Sequence, residues 1–326
     1  MDISVVIVAW NAKRYLELCL ESLEKAPPRR SMETLVVDNA SADGTSEMLE
    51  TRFPWVKLIK SPENLGFAKG NNAAIRQCQG RYIALVNPDV IVFPGCLDAL
   101  ADFLDQNPKV GNVGPRVFEP DMSMQSTCRR FPTLWNNFCD ATGLARRFKN
   151  SRIFAGEHMF YFPHDRTLRV DVLVGCFSFI RREAFEAVGL LDENLFMYGD
   201  DVDWCRRCWK AGWEVVFFPG ALAMHDRGKI TSSHPVPFAL AQQRSVLYYW
   251  SKYHGILAQL GIRSIMVFHH FMRYTVGFLS GLAHSSGRDQ NEVRKQVSGA
   301  CLRELLFGAG DGLQVSGVGS QVKSHS

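Results

Sequence analysis

Ile3-Ser-Val-Val-Ile-Val-Ala9 opens the chain as a short, β-branched apolar run without polar alternation. That is the signature of a strand buried on both faces, as in a parallel sheet. Tyr15, Leu16, Leu18, Cys19, Leu20 and Leu23 then recur at near-helical spacing until Pro27-Pro28 stop them. Thr34-Leu-Val-Val37 repeats the strand signal and ends in the turn-rich Asp38-Asn-Ala-Ser-Ala-Asp-Gly44; Thr45 to Arg52 reads as a helix. Val56-Lys-Leu-Ile59 predicts a third strand. Asn64-Leu-Gly-Phe-Ala-Lys-Gly-Asn-Asn72 predicts a glycine-bearing loop running into a helix near Ala73–Cys78. Tyr82-Ile-Ala-Leu-Val86 is a fourth strand, ending at Asn87-Pro-Asp89, and Leu97–Gln106 another helix. Strand and helix in alternation predict an α/β fold: a mostly parallel sheet flanked by helices. Such sheets bind ligands beyond the carboxyl ends of their strands. Asn11, Asp38 and Asp89 each stand at or just past such an end, so topology alone gathers them on one edge.

Residues 115–170 show less regularity, Arg129-Arg-Phe-Pro-Thr133 being their most distinctive stretch. Val172–Ile180 reads as one strand, Arg182–Ala187 as a helix ended by Gly189, and Trp213–Phe218 as a further strand followed by His225. Between them, Asp192 to Asp203 leads into a helix through Lys210. Gly255 to Ser280 is apolar but interrupted by Gln259, Arg263, His269, His270 and Arg273. In one helix, Lys252, Gln259, Arg263, His270 and Arg273 share a wedge of about 80°. Arginines at a bilayer centre cost about 2.5–3.5 kcal/mol each, so the run predicts an amphipathic helix lying on a membrane rather than crossing it. The alternative is a helix packed on the domain before it. Val293–Phe307 is amphipathic, and a Gly/Ser-rich tail, expected to be mobile, follows. The expected organisation is a catalytic domain over 1–230, a helical, membrane-associating extension over 231–286, and an amphipathic helix with tail over 287–326.

The 326 residues are 46% hydrophobic and 21% charged, an ordinary globular balance. The net charge of +4 lies wholly after Ser251, where eight basic residues face four acidic ones. A neutral body with a basic end is not the footprint of a nucleic-acid binder; it suits a small-ligand site joined to a segment that meets an anionic surface. Nine cysteines show no framework spacing, and the lone Cys205-Arg-Arg-Cys208 has no second pair to complete a zinc site. Reduced thiols in a reducing compartment are expected. Asp2 followed at once by strand residues does not resemble a signal peptide, so a cytoplasmic location is expected.

Several residues could carry chemistry, and each also has a plain structural reading. Asp89 could hold a divalent cation against a diphosphate, since Mg²⁺ takes one or two protein carboxylates plus phosphate oxygens; Asn-Pro-Asp is also a turn signal. Asp200-Asp201, with Asp203 and Trp204 close behind, suit a helix N-terminus, but Phe196, Met197 and Tyr198 beside them also suit a pocket holding a general base. His225 alone says little. The Asn64–Gly70 stretch lacks the spacing of a P-loop or of G-x-G-x-x-G, which argues against a Walker ATPase and a Rossmann dehydrogenase.

The order of these signals is specific. The chain resembles the family 2 glycosyltransferases of GT-A (Rossmann-like) fold, the bacterial rhamnosyltransferase-like branch in particular. The matching stretches are Val5–Asn11, Val36–Thr45, Asn64–Asn72, Leu85–Asp89, Arg130-Phe-Pro132, Val174-Gly175 with Arg181-Arg182, Asp192-Glu193 through Tyr198–Asp203, and His225. Tyr248–Gly255 looks like the segment following the catalytic domain in this branch, here a C-terminal helical extension. The resemblance implies that Ala9, Asn11 and Asp38 form the nucleotide pocket, with Asp38 on the base and Lys69 nearby. Asn87 and Asp89 match the D-x-D-type motif, Asp89 as a ligand of Mg²⁺ or Mn²⁺ and His225 as a further metal or diphosphate contact. Asp201 matches the second acid of a Glu-Asp pair and would be the catalytic base. Asp200, Asp203 and Trp204 would touch the acceptor or back those that do. Two departures stand out: Asp200 replaces the usual Glu, and Gly228-Lys-Ile replaces the usual Gly-x-Ser after the histidine.

The implied activity is an inverting transfer of a sugar, rhamnose by branch, from a dTDP- or UDP-linked donor. The acceptor would be a hydroxyl of a cell-envelope glycan or lipid-linked glycan, at the inner face of the cytoplasmic membrane. An inactive sugar-nucleotide-binding assembly protein is the alternative from another class; it would be expected to lose Asp89 or Asp201. A nucleotidyltransferase would carry a glycine-rich basic loop after the first strand, where this chain has Ala9-Trp-Asn11.

Overall fold

The structure, a computed structural model, describes residues 1–226, 234–283 and 288–308. The expected domain boundaries near 230 and 286, the Gly228-Lys-Ile departure and the tail from 309 onward lie outside these. The chain divides into two compact units: Met1–Phe131, His158–Phe196 and Asp200–Gly228 form one, Pro132–Glu157, Met197–Gly199 and Lys229–Ser326 the other.

The first unit begins with β1 (Ile3–Ala9), α1 (Lys13–Lys25), β2 (Met32–Asp38), α2 (Thr45–Arg52), β3 (Lys57–Lys60), α3 (Gly66–Ile75) and β4 (Tyr82–Val86). β1 lies at the centre of this half, parallel to β2 from Ile3↔Met32 to Ala9↔Asp38 and to β4 from Ile3↔Tyr82 to Val6↔Leu85. The unbroken apolar runs therefore have helices on one or both sides, as their composition requires. Strand order β3-β2-β1-β4 reverses direction at β1, so the carboxyl ends of β1 and β4 flank a topological switch point.

α3 starts at Gly66, not near Ala73 as the glycines suggested. Two side chains and one distant main-chain carbonyl satisfy its first N–H groups, which no helical carbonyl can reach. Leu65 N donates to Asn39 Oδ1 (3.2 Å), Gly66 N to Asn64 Oδ1 (3.0 Å), and Phe67 N to the Phe196 carbonyl (2.7 Å). The small residues are needed for close packing: a Cβ on Gly70 would sit 2.9 Å from Val8 Cγ1.

β5 (Val90–Val92), α4 (Cys96–Gln106), β6 (Val110–Phe118) and β7 (Cys128–Arg129) follow. In the second unit come α5 (Leu134–Thr142) and α6 (Leu144–Arg147). The first unit resumes with β8 (Leu168–Arg169), β9 (Val172–Leu173), β10 (Phe177–Arg181), α7 (Arg182–Val188), α8 (Asp200–Lys210) and β11 (Glu214–His225). The single strand expected over 172–180 is thus two, interrupted at Val174-Gly175-Cys176. β9 pairs with β7, while β10 inserts antiparallel between β4 and β6. The last strand runs past Phe218 to His225, pairing parallel with β6 and then antiparallel with β5. Val6, Leu35, Ile83, Leu173, Ile180, Trp204 and Phe217 belong to one buried cluster with Cys205 and Cys208. Each such side chain contributes about 1.5–3 kcal/mol by leaving water. All nine cysteines are buried and free.

α9 (Pro235–Tyr253), α10 (Ile256–Ala283) and α11 (Arg288–Phe307) complete the second unit with α5 and α6. Arg244 on α9 pairs with Glu304 on α11 at 2.8 Å. α10 is inverted relative to a soluble amphipathic helix. Its Arg263 Nε donates to the Leu305 carbonyl at 3.0 Å, and His269 Nδ1 lies 3.3 Å from the Ala141 carbonyl, so the polar side faces α11 and α5. Leu257, Leu260, Phe271, Phe278 and Leu279 are exposed. Among the described residues no helix is long and apolar enough to cross a membrane.

Candidate active site

Asp89 lies between β4 and β5, and the β5–β11 ladder sets His225 opposite Val90. His225 Nε2 consequently lies 3.1 Å from Asp89 Oδ1, with both side chains under 10% exposed (7% and 8%). His225 Nδ1 lies 2.9 Å from Gln125 Oε1, while Gln125 Nε2 donates to Glu119. Gln125 thus presents an acceptor, Nδ1 carries the proton, and Nε2 is the nitrogen turned to Asp89. Burial opposes charge on His225, but Cys176 and Asp89 beside it outweigh burial and raise its pKa to about 10. Among the described residues no third His, Cys, Asp or Glu joins this pair to form a metal cluster. With its pKa so raised and no cation bound, Nε2 also holds a proton toward Asp89; its release would leave one carboxylate and one oriented imidazole nitrogen, which fit a divalent cation whose other positions substrate phosphates and water would fill.

The second acidic pair begins α8. Asp201 Oδ2 accepts from Gly175 N at 3.0 Å and Oδ1 from Val202 N at 2.8 Å. Asp200 is only 6% exposed. Burial raises the pKa of both acids; the neighbouring Asp201 charge adds to it for Asp200, whereas the Gly175 and Val202 N–H groups and then Arg129 oppose it for Asp201. Gly175 leaves room for them: a Cβ there would lie 3.7 Å from Asp201 Oδ2 and 3.8 Å from Asp200 Oδ2.

The strand break joins the two acidic sites. Gly175 N holds Asp201, and the next residue's carbonyl, Cys176 O, accepts from Asn87 N at 3.0 Å. Asn87, two residues before Asp89, and Asp201 are therefore tied to consecutive residues. A longer uninterrupted strand would turn those backbone groups into ladder hydrogen bonds.

The expected nucleotide residues gather at the other side of the switch point. Ala9 is fully buried and its carbonyl accepts from Asn39 N at 2.8 Å. Asn11, in the left-handed region at φ 48°, accepts from Ala42 N through Oδ1 at 2.8 Å. Asp38 is buried with Oδ1 accepting from Ser41 N at 3.0 Å and Oδ2 from the Ser46 hydroxyl. An open pocket of about 330 Å³ lies beside them, lined by Asn11, Lys13, Arg14, Tyr15, Glu17 and Asp43. Lys69 is exposed on α3, where its charge acts on Glu193. Among the described residues no contact ties it to either acidic pair.

Asp203 and Trp204 face the core. Asp203 is fully buried and pairs with Arg207 Nε at 2.8 Å, and Arg207 also donates to the Val188 and Leu190 carbonyls. Trp204 is 2% exposed, its indole N–H donating to Gly189 O at 2.9 Å. Both fasten α8 to the turn after α7.

Sequence reasoning missed Gln125, Gly175 and Asn39 as site residues. Gln125 sits in the patternless stretch and carried no signal. Gly175 stood in one of the stretches that carry the resemblance but had no role assigned to it, although a glycine inside an apparent strand often marks a bulge or a close approach. Arg129, whose Nη1 donates to the Ser126 and Cys128 carbonyls, places a cation near Asp201.

Comparison with known proteins identifies the family and the fold. The profile of glycosyl transferase family 2 matches residues 4–189. The chain is 32% identical over 262 residues to N-acetylglucosaminyl-diphospho-decaprenol L-rhamnosyltransferase of Mycobacterium tuberculosis, covering 77% of this chain and 84% of the relative. In fold it is similar to the mannosyltransferase PcManGT of Pyrobaculum calidifontis, solved with GDP-Man and Mn²⁺ (TM-score 0.55, 15% identity, 94% of this chain and 88% of that one). It is also similar in fold to S. aureus TarS 1-349 (TM-score 0.50, 15% identity, 94% and 81% covered). The chain belongs to glycosyl transferase family 2, and its α/β architecture is the GT-A fold of the glycosyltransferases.

Proposed function

We propose that the chain is an inverting, divalent-cation-dependent transferase that moves a sugar, rhamnose in the first instance, from a nucleoside-diphosphate donor to a hydroxyl of a lipid-linked glycan. The observation that carries this reading is the pairing of two acidic sites across one strand break: Asp89 with His225, and Asp201 with Asp200. The rhamnosyltransferase similarity over most of the chain supports the donor sugar and a diphospholipid acceptor. The domain over 1–230 would hold the chemistry, and the C-terminal helices would keep it on the inner face of the cytoplasmic membrane.

In this reading Asp38 and Asn11 shape the nucleoside pocket, with Asp38 acting through the loop it fastens and through any base that reaches it. Asp89 and His225 would hold Mg²⁺ or Mn²⁺, which supplies charge neutralisation at the leaving diphosphate. Asp200, raised to about 8, keeps a proton at neutral pH. Asp201, held by two N–H donors, is the ionised member. Environments that push two neighbouring acids apart in this way define a base and its neutral partner. The acceptor oxygen bonds to the anomeric carbon from the face opposite the diphosphate. The bond to the diphosphate breaks, its electron pair leaves with the phosphate oxygen, and the hydroxyl proton passes to Asp201. A carboxylate of ordinary pKa, about 3.9, would take that proton only late; raising Asp201 by burial makes it the stronger base.

The test is transfer from a panel of nucleoside-diphosphate sugars, with and without Mn²⁺, to a diphospholipid-linked GlcNAc acceptor. Product from dTDP-rhamnose that disappears with chelator supports the assignment. Cation-dependent donor binding without hydrolysis or transfer would make the chain a binding protein.

A further inference from the structure

Pro132–Glu157 belongs to the C-terminal unit although the sequence places it inside the catalytic domain. Its helices α5 and α6, with the turn after them, expose Trp135 (46%), Phe138, Phe148 and Ile153 (66%). The rings form a group. Trp135 stacks on Phe138 at 5.9 Å and meets Phe154 at 6.0 Å, and Phe154 meets Phe148 at 5.0 Å. An exposed aromatic cluster of this kind marks an interaction surface.

The charge around it is mainly basic. Arg146, Arg147, Lys149 and Arg152 are exposed, and the acids of the segment, Asp140 on α5 and Glu157, stand at its two sides. Arg146 on α6 also stands near Arg273 on α10 and Arg294 on α11; burial and then these two neighbours lower the pKa of Arg273. None of the three pairs with a carboxylate among the described residues. Asp140 acts on His269 together with Arg273, so the cluster includes an acid, with the arginines in excess; such an excess favours an anion among them.

α5 and α10 are in direct contact, Leu134 lying where a Cβ on Gly261 would be 3.1 Å away and His269 against Ala141. The aromatic cluster thus belongs with the outward apolar side of α10, where Leu257 is 82% exposed and Phe271 and Phe278 are exposed too. Apolar and aromatic side chains facing out, rimmed by arginine and lysine, match the requirements of an interfacial membrane element.

We propose that the α5–α6 hairpin, together with the outward face of α10, forms one docking surface for a bilayer carrying anionic phospholipid. This rests on the lipid-linked acceptor reading above and adds the element inside the catalytic sequence that makes the contact. Trp135, Phe138, Phe148 and Ile153 enter the boundary between headgroups and acyl chains, and the Arg146 cluster takes lipid phosphates. A second copy of the chain is the poorer occupant, because its basic rim would meet another of the same sign.

The experiment is co-sedimentation of the full chain with vesicles of phosphatidylcholine alone or with added phosphatidylglycerol, at low and high salt. The wild type should partition onto phosphatidylglycerol vesicles and release with salt. Arg146→Gln/Arg147→Gln should weaken partitioning about 30-fold, from ~1 kcal/mol for each lost charge at the surface. Trp135→Ser/Phe148→Ser should weaken it at least about tenfold. Unchanged melting temperature and donor binding show that the variants are folded, and the two exposed arginine changes decide the matter if the aromatic variant melts early. Wild-type partitioning by both hairpin variants, with loss only in Phe271→Ser/Phe278→Ser, would remove the hairpin from the surface. Transfer to the lipid-linked acceptor in detergent without any vesicle binding would overturn the surface and leave the proposed activity standing. A lipid-independent dimer dissociated by Trp135→Ser/Phe148→Ser would identify a second copy as the occupant and overturn the proposal.

Discussion

Replacing Asp201 by asparagine changes one atom pair, and the structure sets what each change costs. The carboxylate accepts from Gly175 N at 3.0 Å and from Val202 N at 2.8 Å, one oxygen to each. An amide offers a single oxygen, so one of the two N–H groups meets an NH₂ and loses its acceptor. A buried, unmet donor costs about 1–3 kcal/mol. Set against this, removing one of two crowded buried carboxylates relieves Asp200, so the loss is smaller at pH 8 than at pH 5. At no more than about 2–4 °C per kcal/mol, the melting temperature falls by about 2–12 °C, less what the relief of Asp200 returns. The rate falls much further. A positioned general base contributes about 10²–10⁴-fold, and kcat and kcat/KM should drop together because the interaction exists only in the transition state. The assay is sugar transfer under saturating donor and cation, beside calorimetric donor binding. Turnover within about tenfold of wild type, or a loss of donor affinity matching the loss of rate, would refute the base assignment.

Asp200→Asn should become more stable relative to wild type as pH rises. The folded pKa of Asp200 is raised to about 8, so its stabilising contribution is complete below the unfolded carboxylate value of about 3.9 and disappears as pH climbs through 8; parallel urea melts from pH 4 to 9 check this, and parallel curves would contradict it. The rising limb of the transfer pH profile should also move to lower pH in this variant. Gln125→Leu removes the acceptor that fixes the His225 ring and should raise the Mn²⁺ concentration needed for half-maximal rate about 10–100-fold; an unchanged titration would show that His225 is not held for a cation. Gly66→Ala places a Cβ 2.4 Å from the Phe196 carbonyl oxygen at φ +77°, and should cost about 2–4 kcal/mol in urea unfolding through backbone strain and the weakened Phe67–Phe196 hydrogen bond. A cost below about 0.5 kcal/mol would mean that α3 does not need this anchor.

Apolar runs carry their burial with them, which is why β1, β2 and β4, and the strand ends bearing Asn11, Asp38 and Asp89, could be read from the chain alone. Capping is a different matter. The true start of α3 depends on Asn39, which is 27 residues before Gly66 and donates to its carbonyl, and on a carbonyl at Phe196. No local pattern contains such partners. The break in the 172–180 run is also tertiary, because residues that all favour a strand divide between β9 and β10 so that Gly175 N can hold a carboxylate from α8. Gln125 illustrates the limit most plainly: its role is to orient a histidine 100 residues away, and nothing in its own neighbourhood records that. The polar wedge of α10 was legible for Gln259, Arg263, His270 and Arg273, whereas Lys252 falls on α9, which ends at Tyr253 before α10 begins; the direction of the wedge was not legible. Periodicity fixes which residues share a face; the neighbours α5 and α11 determine that this face points inward.

A single displacement with Asp201 as base is tested most directly by the anomeric configuration of the product. Transfer from a donor of defined configuration to a lipid-linked acceptor, followed by NMR of the new glycosidic bond, should show inversion in the wild type and no detectable product from Asp201→Asn at equal donor occupancy. Retention of the donor's configuration, or an inverted product formed at an undiminished rate by Asp201→Asn, would contradict it.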